Sequence, residues 1–155
     1  MRDIQIPHLA QFLLCCLLVL VAGFAQATAC AGEIKLEAKL VWGTDGPKPD
    51  DPKLKELDPV LKEKLKGVFK WKNYFEVNHQ SFAVLEGVSK KARMSAKCVI
   101  EVQNLGSSVV EVKLFGEGDL VVKKKEPLKS GKSLILAGPS KDDTAWFVAL
   151  TNVTP

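Results

Sequence analysis

Apolar and polar residues alternate strictly along Glu33-Ile-Lys-Leu-Glu-Ala-Lys-Leu-Val-Trp42. Ile34, Leu36, Ala38, Leu40 and Trp42 fall on one side and mostly charged residues on the other, the period of a half-buried strand. Prolines and glycines then crowd Gly43–Pro52, which predicts a loop. Leu54, Leu57, Leu61, Leu65 and Val68 follow at steps of three and four, the apolar stripe of a helix over about 52–66. Asp51 before Pro52 and Asp58 before Pro59 each place a capping acceptor ahead of a proline suited to a first helical turn. Pro59 must therefore kink or restart the helix, and Gly67 closes it. Lys62, Lys64 and Lys66 near its end suit the negative pole of the helix.

The next stretch joins the two halves of the chain. Phe69, Trp71, Tyr74 and Phe75 fall within seven positions of Gly67–Asn78. If residues 69–77 are extended, Phe69, Trp71 and Phe75 point one way, and Lys70, Lys72 and Tyr74 point the other. The aromatic side predicts the seam where the leucine stripe meets a sheet. The other side leaves Lys70, Lys72 and Tyr74 as a candidate binding surface. The expected structural core includes Trp42, Phe69, Trp71, Phe75 and Trp146.

Short strands fill the remainder: Ser81–Glu86, Val88–Met94, Ala96–Leu105, Val109–Phe115, Asp119–Glu126, Ser133–Ala137 and Thr144–Thr151. In the longest of them Ala96, Cys98, Ile100 and Val102 face inward. Strands at this spacing, joined by Gly, Ser and Asp turns, predict a mainly β fold, an antiparallel sandwich or barrel with one Pro-kinked amphipathic helix near its start.

The first residues change the picture of where this domain works. A polar start with Arg2 precedes the apolar run Phe12–Phe24, and small residues follow in Ala25–Gly32. The run suits a signal peptide and is short for a membrane span of about 20 residues. Small residues permit cleavage after position 27, 29 or 31, which gives a signal segment of about 1–27 and one exported domain over 28–155. A permanent N-terminal anchor is the competing reading, and the small residues that follow at once speak against it. The expected address is periplasmic or secreted.

Cysteine chemistry depends on that cut. Cys15 and Cys16 leave with the leader. Cys30 and Cys98 are a candidate disulfide in an oxidising compartment. The bridge would close a loop of about 70 residues, on the order of 4 kcal/mol in the chain-entropy model. Alternatively Cys30 is the lipidated first residue of a lipoprotein and the only route to the membrane surface. With cleavage after Ala31, Cys98 remains alone as a core thiol.

Charge and motifs narrow the chemistry. The formal net charge of +4 favours acidic surfaces mildly and falls well short of a dedicated nucleic-acid protein. Of the two histidines, His8 lies in the leader and His79 stands in a polar stretch with no local motif, so histidine-based triads and zinc sites lack their members. Asp45, Asp50 and Asp51 lack calcium-loop spacing. Gly131-Lys-Ser133 resembles the end of a phosphate loop, but Glu126 stands where that motif needs glycine. No catalytic, cofactor or metal residue is assigned. Lys123-Lys-Lys125 fits the lysine protection of an edge strand, and Asn152-Val-Thr154 matches a glycosylation sequon near the chain end.

Leu40-Val-Trp-Gly-Thr-Asp45, the Pro-rich loop, the Leu/Lys helix, Phe69–Val77 and Thr144-Ala-Trp-Phe-Val148 together resemble a group of small exported bacterial proteins of uncharacterised function. The resemblance spans most of the exported chain. It implies export and a β-rich domain, and brings no activity. The leading expectation is a non-enzymatic interaction or structural module of the cell envelope or extracellular space, with an unknown protein or envelope polymer as partner and no specific nucleic acid. Two alternatives stand beside it: a polyanion or glycan binder using a lysine-rich face, and a polymer hydrolase using scattered carboxylates.

Overall fold

The computed structural model describes residues 32–139 and 143–155. The leader, its cleavage sites and Cys30 lie outside the described residues. Within them the order is β1 (Glu33–Thr44), β2 (Lys55–Glu56), α1 (Pro59–Lys66), β3 (Asn73–Leu85), β4 (Ser89–Arg93), β5 (Cys98–Asn104), β6 (Val109–Gly116), β7 (Asp119–Pro127), β8 (Ser133–Ala137) and β9 (Thr144–Asn152). One sheet runs β2-β3-β1-β9-β8 and the other β4-β5-β6-β7, with antiparallel pairing throughout. The two separate sheets make a sandwich, not a barrel.

The alternation of β1 produces the sandwich core. Ile34, Leu36, Ala38 and Leu40 are buried against Ile100, Val102, Val110, Val112 and Leu114 of β5 and β6. The opposite face of the five-stranded sheet is covered as well. There Val41, Tyr74, Ala145, Phe147 and Ala149 meet Leu57, Leu61, Leu65 and Trp71. The domain thus has three layers: α1 and its flanking turns, the five-stranded sheet, and the four-stranded sheet.

The helix is shorter than the leucine stripe predicts. Only Pro59–Lys66 is helical, and Lys55–Glu56 instead pairs with β3. Pro59 restarts the chain completely, because it lacks an N–H and disfavours helical backbone at the residue before it. Asp58 is the cap, its carboxylate accepting the Leu61 N–H at 3.0 Å. Val68, expected on the buried stripe, lies past the helix end and is 75% exposed. Eight residues are too few for a helix to persist alone. Burial of Leu61 and Leu65, each worth about 1.5–3 kcal/mol, and the Asp58 cap hold it in place.

The joint departs from the expected strand phase. Residues 69–72 precede β3, so Phe69 and Trp71 reach the helix side from a turn. Inside β3 a bulge makes Val77 an extra residue between Glu76, opposite Val41, and Asn78, opposite Leu40. The bulge reverses which parity faces which layer. Before it Tyr74 faces the helix; after it Phe82 and Val84 face the sandwich core. Phe75 lies opposite Trp42, and their ring centroids are 6.1 Å apart. The expected partition therefore holds for Phe69 and Trp71 at the helix seam. It fails for Phe75, which faces away from the helix.

Buried asparagines hold the two points where the chain changes sheets. Asn104 donates from Nδ2 to the Gly32 and Val84 carbonyls at 2.9 and 3.0 Å and accepts the Gly106 N–H at 3.0 Å. Asn152 donates to the Leu128 carbonyl at 2.7 Å and accepts the Thr154 N–H at 2.9 Å. With its amide committed and the residue 2% exposed, Asn152 is not presented as a glycosylation acceptor.

Lys39 ties the helix start to the sheet. Its ammonium lies 3.3 Å from Asp58, 3.4 Å from Glu37 and 3.8 Å from Glu76. Burial opposes its charge, but the three carboxylates outweigh burial and raise it above the ordinary lysine range. Burial likewise works to raise the Asp58 carboxyl. The Leu61 N–H and Lys39 prevail and hold it below the ordinary carboxylate range.

Two outcomes follow for stability. Trp71 is 6% exposed, so Trp71→Ala is expected to cost about 3–5 kcal/mol in urea unfolding; an unmoved midpoint would refute its place in the seam. The depressed Asp58 carboxyl contributes stability above the ordinary carboxylate pKa, and that contribution is lost as pH falls through the lower folded value. Asp58→Asn should accordingly flatten part of the acid limb of a thermal-midpoint profile. A limb of unchanged steepness would show that the cap and Lys39 pair do not drive it.

Candidate functional site

The predicted surface of Lys70, Lys72 and Tyr74 is not assembled. Tyr74 is fully buried, and its hydroxyl points at the Leu65 and Phe69 carbonyls at 3.5 and 3.4 Å. Its burial follows from its position before the bulge, where even-numbered residues of β3 face α1. Lys70 folds back over the Trp71 ring at 4.8 Å. Lys72 is fixed through its backbone, its N–H donating to Asp45 at 3.0 Å. The two lysines remain exposed without the aromatic partner that the extended phase supplies.

A different feature emerges at the end of the sandwich. Between the two sheets lies a cavity of about 560 Å³, a volume suited to a small ligand or a large side chain. Its five-stranded-sheet wall is built on Trp42 and Trp146, directly opposite each other on β1 and β9. Strand alternation places both on the sandwich side, and both stay half-buried. Leu40 and Val77 extend this wall, and Cys98, Gly116 and Val121 form the opposite one.

Small residues fix the position of the Trp146 indole. A methyl group at Gly138 would overlap the ring, and one at Gly116 would come within 3.2 Å of it. The indole therefore lies against two backbones, one from each sheet. Val121 reaches the cavity because the β6–β7 pair carries a bulge there: Leu120 lies opposite Phe115 and Val122 opposite Leu114.

The lip is polar. Lys97 and Glu117 pair at 2.8 Å, with Ser95 and Thr144 nearby on the same rim. Glu117 adopts φ 53°, a left-handed conformation uncommon outside glycine, asparagine and aspartate. Its N–H donates to the Lys97 carbonyl at 2.7 Å, so backbone and side chain hold it to the same residue. The Glu117 carboxylate raises Lys97 above the ordinary lysine range. Lys97 therefore keeps its proton near neutral pH, and its charge is offset by the Glu117 carboxylate at the cavity mouth.

Cys98 lines the cavity as a free, buried thiol; its expected partner Cys30 lies outside the described residues. Burial pushes the thiol up to about 11. A protonated thiol is a poor nucleophile and a weak ligand, so Cys98 serves as an apolar wall. His79 lies away from the cavity, 2.9 Å from Glu37. Several carboxylates pair with lysines: Asp58 with Lys39, Glu101 with Lys113, Glu111 with Lys123 and Glu117 with Lys97. Among the described residues no group of three or more His, Cys, Asp or Glu side chains is placed to hold a metal ion. Among them, too, no helix is long and apolar enough to cross a membrane.

Trp42 and Trp146 are expected core residues that turn out to wall this cavity. Alternation identifies their inward direction. Their pairing required knowledge that the first and last long strands are neighbours, and no local pattern carries it.

Cys98 gives a direct test. Iodoacetamide at pH 8 should leave it unmodified in the native protein and alkylate it after unfolding in urea. A thiol that resists alkylation in urea until a reductant is added would instead be bridged, with Cys30 as its partner.

Compared with protein-family models, with curated proteins and with solved structures, the chain matches none, so its own residues carry the functional argument.

Proposed function

We propose that this protein is an exported, non-enzymatic interaction module of the cell envelope or extracellular space, and that its end cavity receives an apolar side chain of a partner protein. The observation that carries the proposal is the composition of the cavity from base to lip. Trp42, Trp146, Leu40, Val77 and Val121 form an apolar bowl, and Lys97, Glu117, Ser95 and Thr144 form its rim. An apolar pocket inside a polar rim is the anatomy of a protein–protein hot spot. Cancelled charge at the mouth favours a neutral anchor, and indole faces favour a large or aromatic one.

Placing a photo-crosslinking amino acid at Val121, and in a control at the exposed Lys64, tests this in cells. The Val121 position should give a discrete adduct with an envelope or secreted protein, lost when excess small aromatic competitor is added, and Lys64 should not. No Val121 adduct, or the same adduct from both positions, would overturn the proposal.

Polyanion or glycan binding retains one observation in its favour. It lies on the outward face of the four-stranded sheet and does not involve the cavity.

A further inference from the structure

The outward face of the four-stranded sheet is built as a cationic row. Partners in register share a face, so Lys91 lies beside Glu101, Glu101 beside Lys113, and Lys113 beside Lys123, one residue from each strand. The neighbouring rows add Arg93 opposite Val99, and Lys125 opposite Glu111. Five cations face outward against two carboxylates, leaving most of the chain's formal +4 on one surface. Glu101 holds Lys113 at 2.8 Å and Lys91 at 3.5 Å, and Glu111 holds Lys123 at 3.1 Å. Arg93 and Lys125 have no ion-pair partner among the described residues.

Edge protection accounts for part of this. β7 is an edge strand, and lysines on an edge discourage pairing with another chain. It does not account for Lys113, which sits on the interior strand β6 directly opposite Lys123. Like charges facing across a strand pair destabilise it; Glu101 and Glu111 offset this by pairing with Lys113 and Lys123, yet the face still carries more cations than carboxylates.

We propose that this face binds a linear acidic polysaccharide, its carboxylate or sulfate groups meeting Lys113, Lys123, Lys125 and Arg93. Strands are spaced about 4.8 Å apart, close to the rise per residue of an extended sugar chain, so acidic sugars along one chain can meet Arg93 on β4 and the lysines of β6 and β7. Single-stranded nucleic acid fits less well, because its binding surfaces interleave cations with stacking rings, and Phe115 is the one aromatic on this face, half-buried at a corner. A membrane surface also fits less well. Its peripheral binders bury an apolar face, and here the exposed Leu120 lies only at one end.

The face does not include the cavity, so this inference and the preceding proposal stand or fall separately. The full exported chain is titrated with oligogalacturonate, with oligo-dT and with phosphatidylglycerol vesicles. Oligogalacturonate should bind most tightly, and weaken by roughly tenfold or more between about 50 and 200 mM salt. Combined Lys113→Gln, Lys123→Gln and Lys125→Gln should weaken it about tenfold or more. Combined Lys48→Gln, Lys53→Gln and Lys64→Gln, with the same net charge, should leave it within about threefold. Glu111→Gln, which removes a carboxylate without removing a cation, should tighten binding and guards against a triple variant that fails to fold. Equal losses in the two triple variants, no tightening with Glu111→Gln, or tighter binding of oligo-dT or vesicles would each overturn the assignment to an acidic polysaccharide on this face.

Discussion

The fold depends on a sheet that must be covered on both faces. β1 is its central strand, paired with β3 on one side and β9 on the other. Its even-numbered residues from Ile34 to Leu40 form one wall of the sandwich core, and Val41 belongs to the seam beneath α1. A sheet with one polar face would need only the sandwich. Here Phe147, Ala149 and Tyr74 make the second face apolar, so α1 and the 69–72 turn are required to exclude water. Lys39, on that same second face, secures the helix start through Asp58. Isolated surface pairs contribute little, and this one matters because it coincides with a helix cap and three carboxylates.

How far the sequence shows this depends on whether a pattern is local. The alternation of β1 is local and uninterrupted, and the strand appears where the alternation places it. Cys98, Ile100 and Val102 are buried in β5 for the same reason. The bulge at Val77 is the opposite case. Alternation through Phe75, Val77 and Phe82 mixes parities, and nothing in the residues marks where the phase turns over. A single inserted residue exchanges the faces of everything beyond it, which is why Tyr74 reads as exposed beside Lys70 and Lys72 yet is buried.

The helix illustrates a second limit. Leu54 and Leu57 fit the leucine stripe in spacing, and Leu57 is indeed buried, but neither is helical. Periodicity reports which residues meet a common apolar surface. It does not report the backbone that carries them there. Pro59 decided the matter, because a proline starts a helix more readily than it continues one. The cavity was hidden for a third reason: it joins Trp42 to Trp146 through strand order, and Val121 to Trp146 across two sheets. Contacts of that kind are properties of topology.

The two candidate surfaces share a physical character that separates them from the rest of the domain. In most of the chain, local preference and tertiary role agree, as sequences that fold to one structure require. At the sandwich end, two tryptophans remain half-exposed around an open cavity, and Glu117 holds a left-handed backbone. On the four-stranded sheet, Lys113 faces Lys123, with Glu101 and Glu111 only partly offsetting the cations around them. Each departs from what packing or cross-strand charge alone would select. Disagreement between local economy and observed residue is where function is expected to reside. It supports the binding proposed for the cavity and the cationic face, and leaves the Lys39 cluster, the buried asparagines and Cys98 to structure.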